Sequence, residues 1–136
     1  MNIIKYATAK GLYTIIEYIK KYLKFDCGPY VSVIDLDKEG AFNGNIRLFE
    51  GSLFKGTIAS QTRISILKYG LPSEASMSFT LILNNGGAYT VTWDDSIKWP
   101  GGTAPSLTSD GTDMLTFVTP DSGITWYGTL VGKDIK

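Results

Sequence analysis

From Tyr30 onward, apolar and polar residues alternate with a period of two, the mark of strands with one buried face. "YVSVIDLD" predicts one strand, and "GNIRLFEGSLFKGTI" predicts two short ones around Glu50-Gly51. "TRISILKYG" sets Ile64, Ile66 and Tyr69 on one face, and "ASMSFTLILNN" does the same for Met77, Phe79, Leu81 and Leu83. "AYTVTW" aligns Tyr89, Val91 and Trp93, and "SIKW" predicts a short strand before Pro100. In "DMLTFVT", Met114 and Thr116 oppose Leu115, Phe117 and Thr119, and "ITWYGTLVG" predicts a last strand. Ahead of this region the period is helical. Leu12, Ile15, Ile16, Ile19 and Leu23 form one stripe, with Glu17, Lys20, Lys21 and Lys24 away from it. Thr8 or Gly11 can open this helix, late lysines suit its negative end, and Gly28-Pro29 stops it.

Turn residues punctuate the second region. Asn85-Gly86-Gly87 is a hairpin signal, because Asn and Gly tolerate positive φ. "PDSG" predicts a turn at Pro120–Gly123. Eight to nine short strands at about 8–12-residue spacing predict a mostly-β protein, an antiparallel β-sandwich with one N-terminal amphipathic α-helix. The expected division is an N-terminal segment and helix over 1–28, serving oligomerisation or docking, and a β-sandwich domain over 29–136. No internal repeat is visible. A helix of about 14 residues is too short to be stable alone, so its stripe must pack on something. The stripe Leu12, Ile15, Ile16, Ile19 and Leu23 is therefore the candidate subunit interface, and packing on the chain's own β domain is the alternative.

Composition narrows the function classes. The 136 residues suit one domain, with 43% hydrophobic and 19% charged residues, as in ordinary globular chains. Thirteen basic residues balance thirteen acidic ones, unevenly. Residues 1–25 hold five lysines against Glu17, a net +4, and the remainder is net −4. The basic face of the helix reads as solvated, and no nucleic-acid partner is expected. Histidine is absent, which removes the usual general base and the commonest zinc ligand. Cys27 is the single cysteine, so no intrachain disulfide can form. No continuous apolar h-region opens the chain, and "LKFDC" lacks the small residues of a lipoprotein cleavage site, so no secretory signal is expected. No apolar run approaches the ~18 residues of a membrane span, so no membrane insertion is expected.

Each candidate for chemistry has a plainer reading. "DLDKEG" over Asp35–Gly40 resembles the start of a calcium loop, but the twelfth position is Ile46 rather than a bidentate acid. Asp94-Asp95 beside Trp93 match the residue types of glycoside hydrolysis, but adjacent strand residues face opposite ways. Asp113 and Asp121 read as turn acids. Serines and threonines lack a histidine partner, and the glycine pairs match no phosphate loop. No catalytic residue, cofactor or metal is expected, and so no enzyme. Among the aromatics, Trp93 reads as core. Trp99 is exposed or packs under the Pro100 corner. Trp126 and Tyr127 are strand neighbours and must face opposite ways. Trp99, Trp126 and Tyr127 are the candidate surface aromatics.

The stretch from Trp93 to Gly128 resembles a pattern found in bacteriophage tail-fibre and other tail-associated virion proteins. The resemblance runs through Trp93, Ser96, Lys98, Trp99, Pro100, Gly101, Gly102, Thr103, Ala104 and Pro105. It continues through Leu107, Thr108, Gly111, Asp113, Leu115 and Phe117 to Asp121, Gly123, Thr125, Trp126, Tyr127 and Gly128. With the upstream "GNIRLFEGSLFKGTI", it covers about residues 40–132. It implies a non-enzymatic structural component of a phage particle, assembled in the host cytoplasm and located in the virion. A long fibre shaft does not fit in 136 residues, which favours a small tail, fibre-adaptor, baseplate or neck protein. The partners so implied are other virion proteins and copies of itself, a closed trimer first. The alternatives are a module recognising host surface glycans and a capsid decoration protein. Physically, Pro100 ends a strand, Gly101 and Gly102 turn the chain in conformations costly to other residues, and Pro105 keeps it extended. The expected product is a rigid excursion between two core strands.

Overall fold

Among the described residues, nine strands in two sheets account for most of the periodic segments. The computed structural model describes residues 33–38, 40–69 and 71–136. The expected helix and its stripe, Leu12, Ile15, Ile16, Ile19 and Leu23, lie outside the described residues. In chain order the strands are β1 (Val33–Asp35), β2 (Asn45–Arg47), β3 (Leu53–Thr57), β4 (Thr62–Leu67) and β5 (Met77–Asn84). They continue as β6 (Val91–Trp93), β7 (Ile97–Lys98), β8 (Thr112–Thr119) and β9 (Trp126–Ile135). One-turn 3-10 helices follow β2 and β7, at Leu48–Glu50 and Pro100–Gly102.

From β1 to β6 the odd strands and the even strands separate. A six-stranded sheet has the order β1-β3-β5-β8-β9-β7, and a three-stranded sheet has the order β2-β4-β6. From β1 to β6 the chain therefore changes sheet at every connection, and each strand pairs in parallel with the strand two before it. Antiparallel pairing is confined to β5–β8 and β8–β9. The antiparallel expectation is thus corrected to mixed sheets. Parallel neighbours need a crossover, and here the crossover is a strand of the other sheet.

This winding contains a repeat that residue identity hides. Val33 faces Leu53 and Asn45 faces Ser65, a step of 20 residues in both sheets. What recurs is burial: Ile34, Phe54 and Leu81 stand in one row, and Ile46 and Ile66 in another. The third coil is longer, with Leu53 opposite Thr80 and Thr62 opposite Val91.

The turn at Asn85-Gly86-Gly87 is present but is no hairpin, since β5 and β6 belong to different sheets. Asn85 takes the left-handed conformation at φ 55. The two glycines serve close approach instead. A Cβ on Gly86 would lie 2.7 Å from Leu107 Cδ1. Tyr69 also departs from expectation. It lies beyond the end of β4, out of phase with Ile64 and Ile66, and is 75% exposed.

Buried residues from both sheets form one apolar cluster. Phe79 stacks on Phe117 at 4.7 Å and meets Trp126 edge-on at 5.2 Å and Phe54 edge-on at 5.8 Å. β8 alternates as the sequence predicts, with Leu115, Phe117 and Thr119 inward. Phe117→Ala is expected to cost about 3–5 kcal/mol, the range for emptying a large core site. The next residue, Val118, is 45% exposed, and Val118→Ala should change stability by less than about 0.5 kcal/mol. Urea unfolding of the two variants checks the alternation of β8 directly.

Candidate functional site

The corner begins with a carboxylate that shapes its own backbone. Asp94 Oδ1 accepts hydrogen bonds from the Ser96 amide at 3.0 Å and the Ser96 hydroxyl at 2.7 Å. The Ile97 amide donates to the Asp94 carbonyl at 3.0 Å. This turn carries the chain from β6 into β7, where the Trp126 amide donates to the Ser96 carbonyl at 2.9 Å. Burial pushes the Asp94 carboxyl up. The two Ser96 bonds, with the fields of Arg63 and Lys68, outweigh it and hold the group below its ordinary value. Asp95 points away, nearly fully exposed, 3.5 Å from Arg63. The two acids therefore do not face one substrate, and they lie in the turn after β6 rather than in a strand.

Trp99 is extended and enters the 3-10 turn at Pro100. Gly101 and Gly102 have φ of +67 and +75, and the Gly102 amide donates to the Trp99 carbonyl at 2.9 Å. A Cβ on either glycine would meet nothing within 4 Å, so the requirement for glycine there is one of backbone conformation. The Trp99 ring turns under the corner. It lies edge-on to Trp93 at 4.9 Å and to Phe117 at 5.8 Å. Gly128 makes room for it, since a Cβ there would sit 2.8 Å from the Trp99 ring. Trp99 is half-buried, Trp126 is buried in the core, and Tyr127 is 55% exposed. Trp126 therefore leaves the set of candidate surface aromatics. Its neighbour Tyr127 faces the other way.

The far end of the excursion is pinned by Asp113, whose side chain is buried. It accepts from the Thr108 amide at 2.6 Å, the Thr108 hydroxyl at 2.7 Å and the Asp134 amide at 3.0 Å. Burial pushes this carboxyl up. The bonds from Thr108 and Asp134, with the field of Lys133, outweigh it and hold the group below the ordinary carboxylate value. The loop between β5 and β6 adds the Gly87 amide, donating to the Thr108 carbonyl at 2.9 Å. Asp113, expected at a turn, lies inside β8 and pins the loop before it. The signal was its phase, because Asp113 shares the inward parity of Leu115, Phe117 and Thr119. Asp121 is the turn acid expected of it. Its Oδ1 accepts from the Thr125 amide and the Thr119 hydroxyl, each at 2.8 Å. The Thr125 amide is the main reason its carboxyl is held low.

Between β6 and the excursion lies a cleft of about 260 Å3. Tyr89, Val91 and Trp93 form one wall, Ala104, Pro105 and Leu107 the other, and Gly86 and Gly87 complete the lining. Tyr89 is 51% exposed. No signal in the sequence joined these two stretches.

The resemblance to a calcium loop resolves into a turn. Asp35 pairs with Lys55 at 3.0 Å, which holds its carboxyl low, and Asp37 accepts from the Thr57 amide at 3.1 Å. Among the described residues no cluster of three or more His, Cys, Asp or Glu side chains could hold a metal ion. No helix among them is long and apolar enough to cross a membrane. No family model, characterised protein or solved structure matches the chain.

Replacing both corner glycines, by Gly101→Val with Gly102→Val, is expected to destabilise the protein by about 2–4 kcal/mol, from two side chains forced into left-handed backbone. A thermal melt reads this, and an unchanged midpoint would show the corner to be a loose loop.

The carboxylates also set a pH dependence. Asp94, Asp113 and Asp121 have folded-state pKa values below the ordinary one, so their contribution is complete above the unfolded value. It is lost as pH falls through the depressed values, below about pH 4. Stability should be flat from neutral pH to about pH 5 and fall steeply below pH 4. Asp113→Ala should lower the plateau by about 2–3 kcal/mol and make the acid limb shallower, as urea unfolding at several pH values would show.

Proposed function

We propose that the chain is a non-enzymatic structural component of a bacteriophage virion, a small tail, fibre-adaptor, baseplate or neck protein that works through protein–protein assembly. The architecture that goes with this reading is a β-sandwich carrying an N-terminal helix. Leu12, Ile15, Ile16, Ile19 and Leu23 provide the contact between copies, with a closed trimer first. The observation that supports it is what the residues of the tail-protein resemblance do. Trp99 and Gly128 lock the corner from below. Thr108 and Asp113 pin its far end, and Thr119, Asp121 and Gly123 build the β8–β9 turn. These are shape-holding roles. They leave Gly101, Gly102, Thr103 and Ala104 exposed at the surface. Such a pattern suits a module that presents a fixed surface to its neighbours.

A second reading, a module for host surface glycans, is favoured by one feature, the half-exposed Tyr89 beside Trp93 in the cleft. Aromatic faces of this kind can stack on sugar rings. On that reading the glycan site is the cleft rather than the Trp99, Trp126 and Tyr127 set.

Mass spectrometry of purified phage particles is the deciding experiment, and the protein is expected among the virion components at a fixed stoichiometry. The purified protein is also expected to show no turnover of polysaccharide, peptidoglycan or nucleic acid. Turnover that disappears in Asp95→Asn, a substitution at an exposed residue, would overturn the structural reading.

A further inference from the structure

We propose that the cleft between β6 and the corner excursion is a strand-docking site, which takes an extended, uncharged segment of a partner polypeptide. This deepens the assembly reading above and rests on it. Among the described residues β6 pairs with β4 alone, so its other side is a sheet edge. The register decides which backbone groups are in use. The Thr90 carbonyl accepts from the Thr62 amide at 3.1 Å, and the Asp94 amide donates to the Ile64 carbonyl at 2.9 Å. Even-numbered residues thus turn their polar groups towards β4. In an extended strand the alternate residues turn theirs to the opposite side. Val91 and Trp93 therefore present N–H and C=O groups at the free edge, and both residues line the cleft.

The facing wall does not use those groups. Pro105 has no N–H, and no hydrogen bond joins residues 104–107 to β6 among the described residues. Unpaired main-chain donors and acceptors thus border a cleft with no charged residue in its lining. A strand answers both features. Its own N–H and C=O groups match the spacing of the edge, and its alternate side chains meet Tyr89, Val91 and Trp93. The lining carries no charge, so a charged side chain inserted there would lose its hydration without gaining a partner. The inserted residues are therefore uncharged. A sugar fits less well, because the Tyr89 hydroxyl and the Trp93 indole N–H are the two polar side-chain groups among the lining residues, and neither is a carboxylate or amide that could take a pair of sugar hydroxyls.

The test uses the full chain, isotope-labelled for NMR, and a blocked pentapeptide alternating threonine with valine. The amide resonances of Val91 and Trp93 are expected to shift on titration and to gain exchange protection, with a Kd of about 1 mM or tighter. The same peptide with N-methylated amides should bind at least about tenfold more weakly, since edge pairing needs its donors. Val91→Lys should weaken binding by a similar factor, and Ala104→Glu provides a second variant on the opposite wall if the first fails to fold. Tyr127→Ala, outside the cleft, should leave binding unchanged. The proposal is overturned if the peptide causes no shift at several millimolar, or if the N-methylated peptide binds equally well. It is overturned too if a disaccharide such as maltose shifts these resonances while the peptide does not. Recovery of the protein from particles with a silent peptide would sink the docking site and leave the assembly reading standing. Binding of the peptide by a protein absent from particles would do the reverse.

Discussion

Phe117 is the side chain on which the two sheets and the corner all depend. It stacks on Phe79 within the six-stranded sheet, lies 5.9 Å from Trp93 of the three-stranded sheet, and receives the edge of Trp99 from the corner. Aromatic contacts of this kind add to burial itself, by about 0.5–1.5 kcal/mol per pair beyond area. More important is that one ring belongs to three substructures at once. Gly128 permits the arrangement from the neighbouring strand, because any side chain there would push Trp99 and Phe117 apart. The excursion from Trp99 to Pro105 is thus held by the same packing that closes the core.

The polar residues complete what the rings begin. Asp94, Asp113 and Asp121 each take up backbone amides at a change of direction, and Asp37 does the same for Thr57. A carboxylate accepting main-chain N–H groups at a turn removes the need for those donors to find water. The chain can therefore change sheets repeatedly within short connections, without long hairpins or a helix to satisfy its backbone.

The strands were legible from the sequence because alternation is a local signal. Phe79, Leu81 and Leu83, and Leu115 and Phe117, fell where period two put them. Partnering was not legible. Asn85-Gly86-Gly87 is written in the same residues whether it reverses a strand onto its neighbour or carries it to another sheet. In the fold Leu107, about twenty positions away, packs closely against both glycines, a contact that the local sequence does not contain. The 20-residue coil leaves no mark in the sequence for a related reason. Its rows require only that Ile34, Phe54 and Leu81 be apolar, so no residue identity recurs. Of the site, the corner and its glycines were legible and the cleft was not, since its walls meet only in the folded chain. Trp126 and Tyr127 were legible as an opposed pair, but nothing in the sequence said which one faced inward.

The parallel coils have a consequence for how the molecule forms. Each rung joins residues about 20 or more positions apart, so pairing must close a loop before any contact repays the lost chain entropy. The most local pairing is β8 with β9, across the six residues from Pro120 to Thr125. That hairpin therefore closes the shortest loop of any strand pair among the described residues, and β8 joins it to β5 on the other side. During synthesis β8 and β9 emerge after every coil they support. The earlier strands thus leave the ribosome before β8 exists, and β5 waits for its antiparallel partner until β8 has emerged.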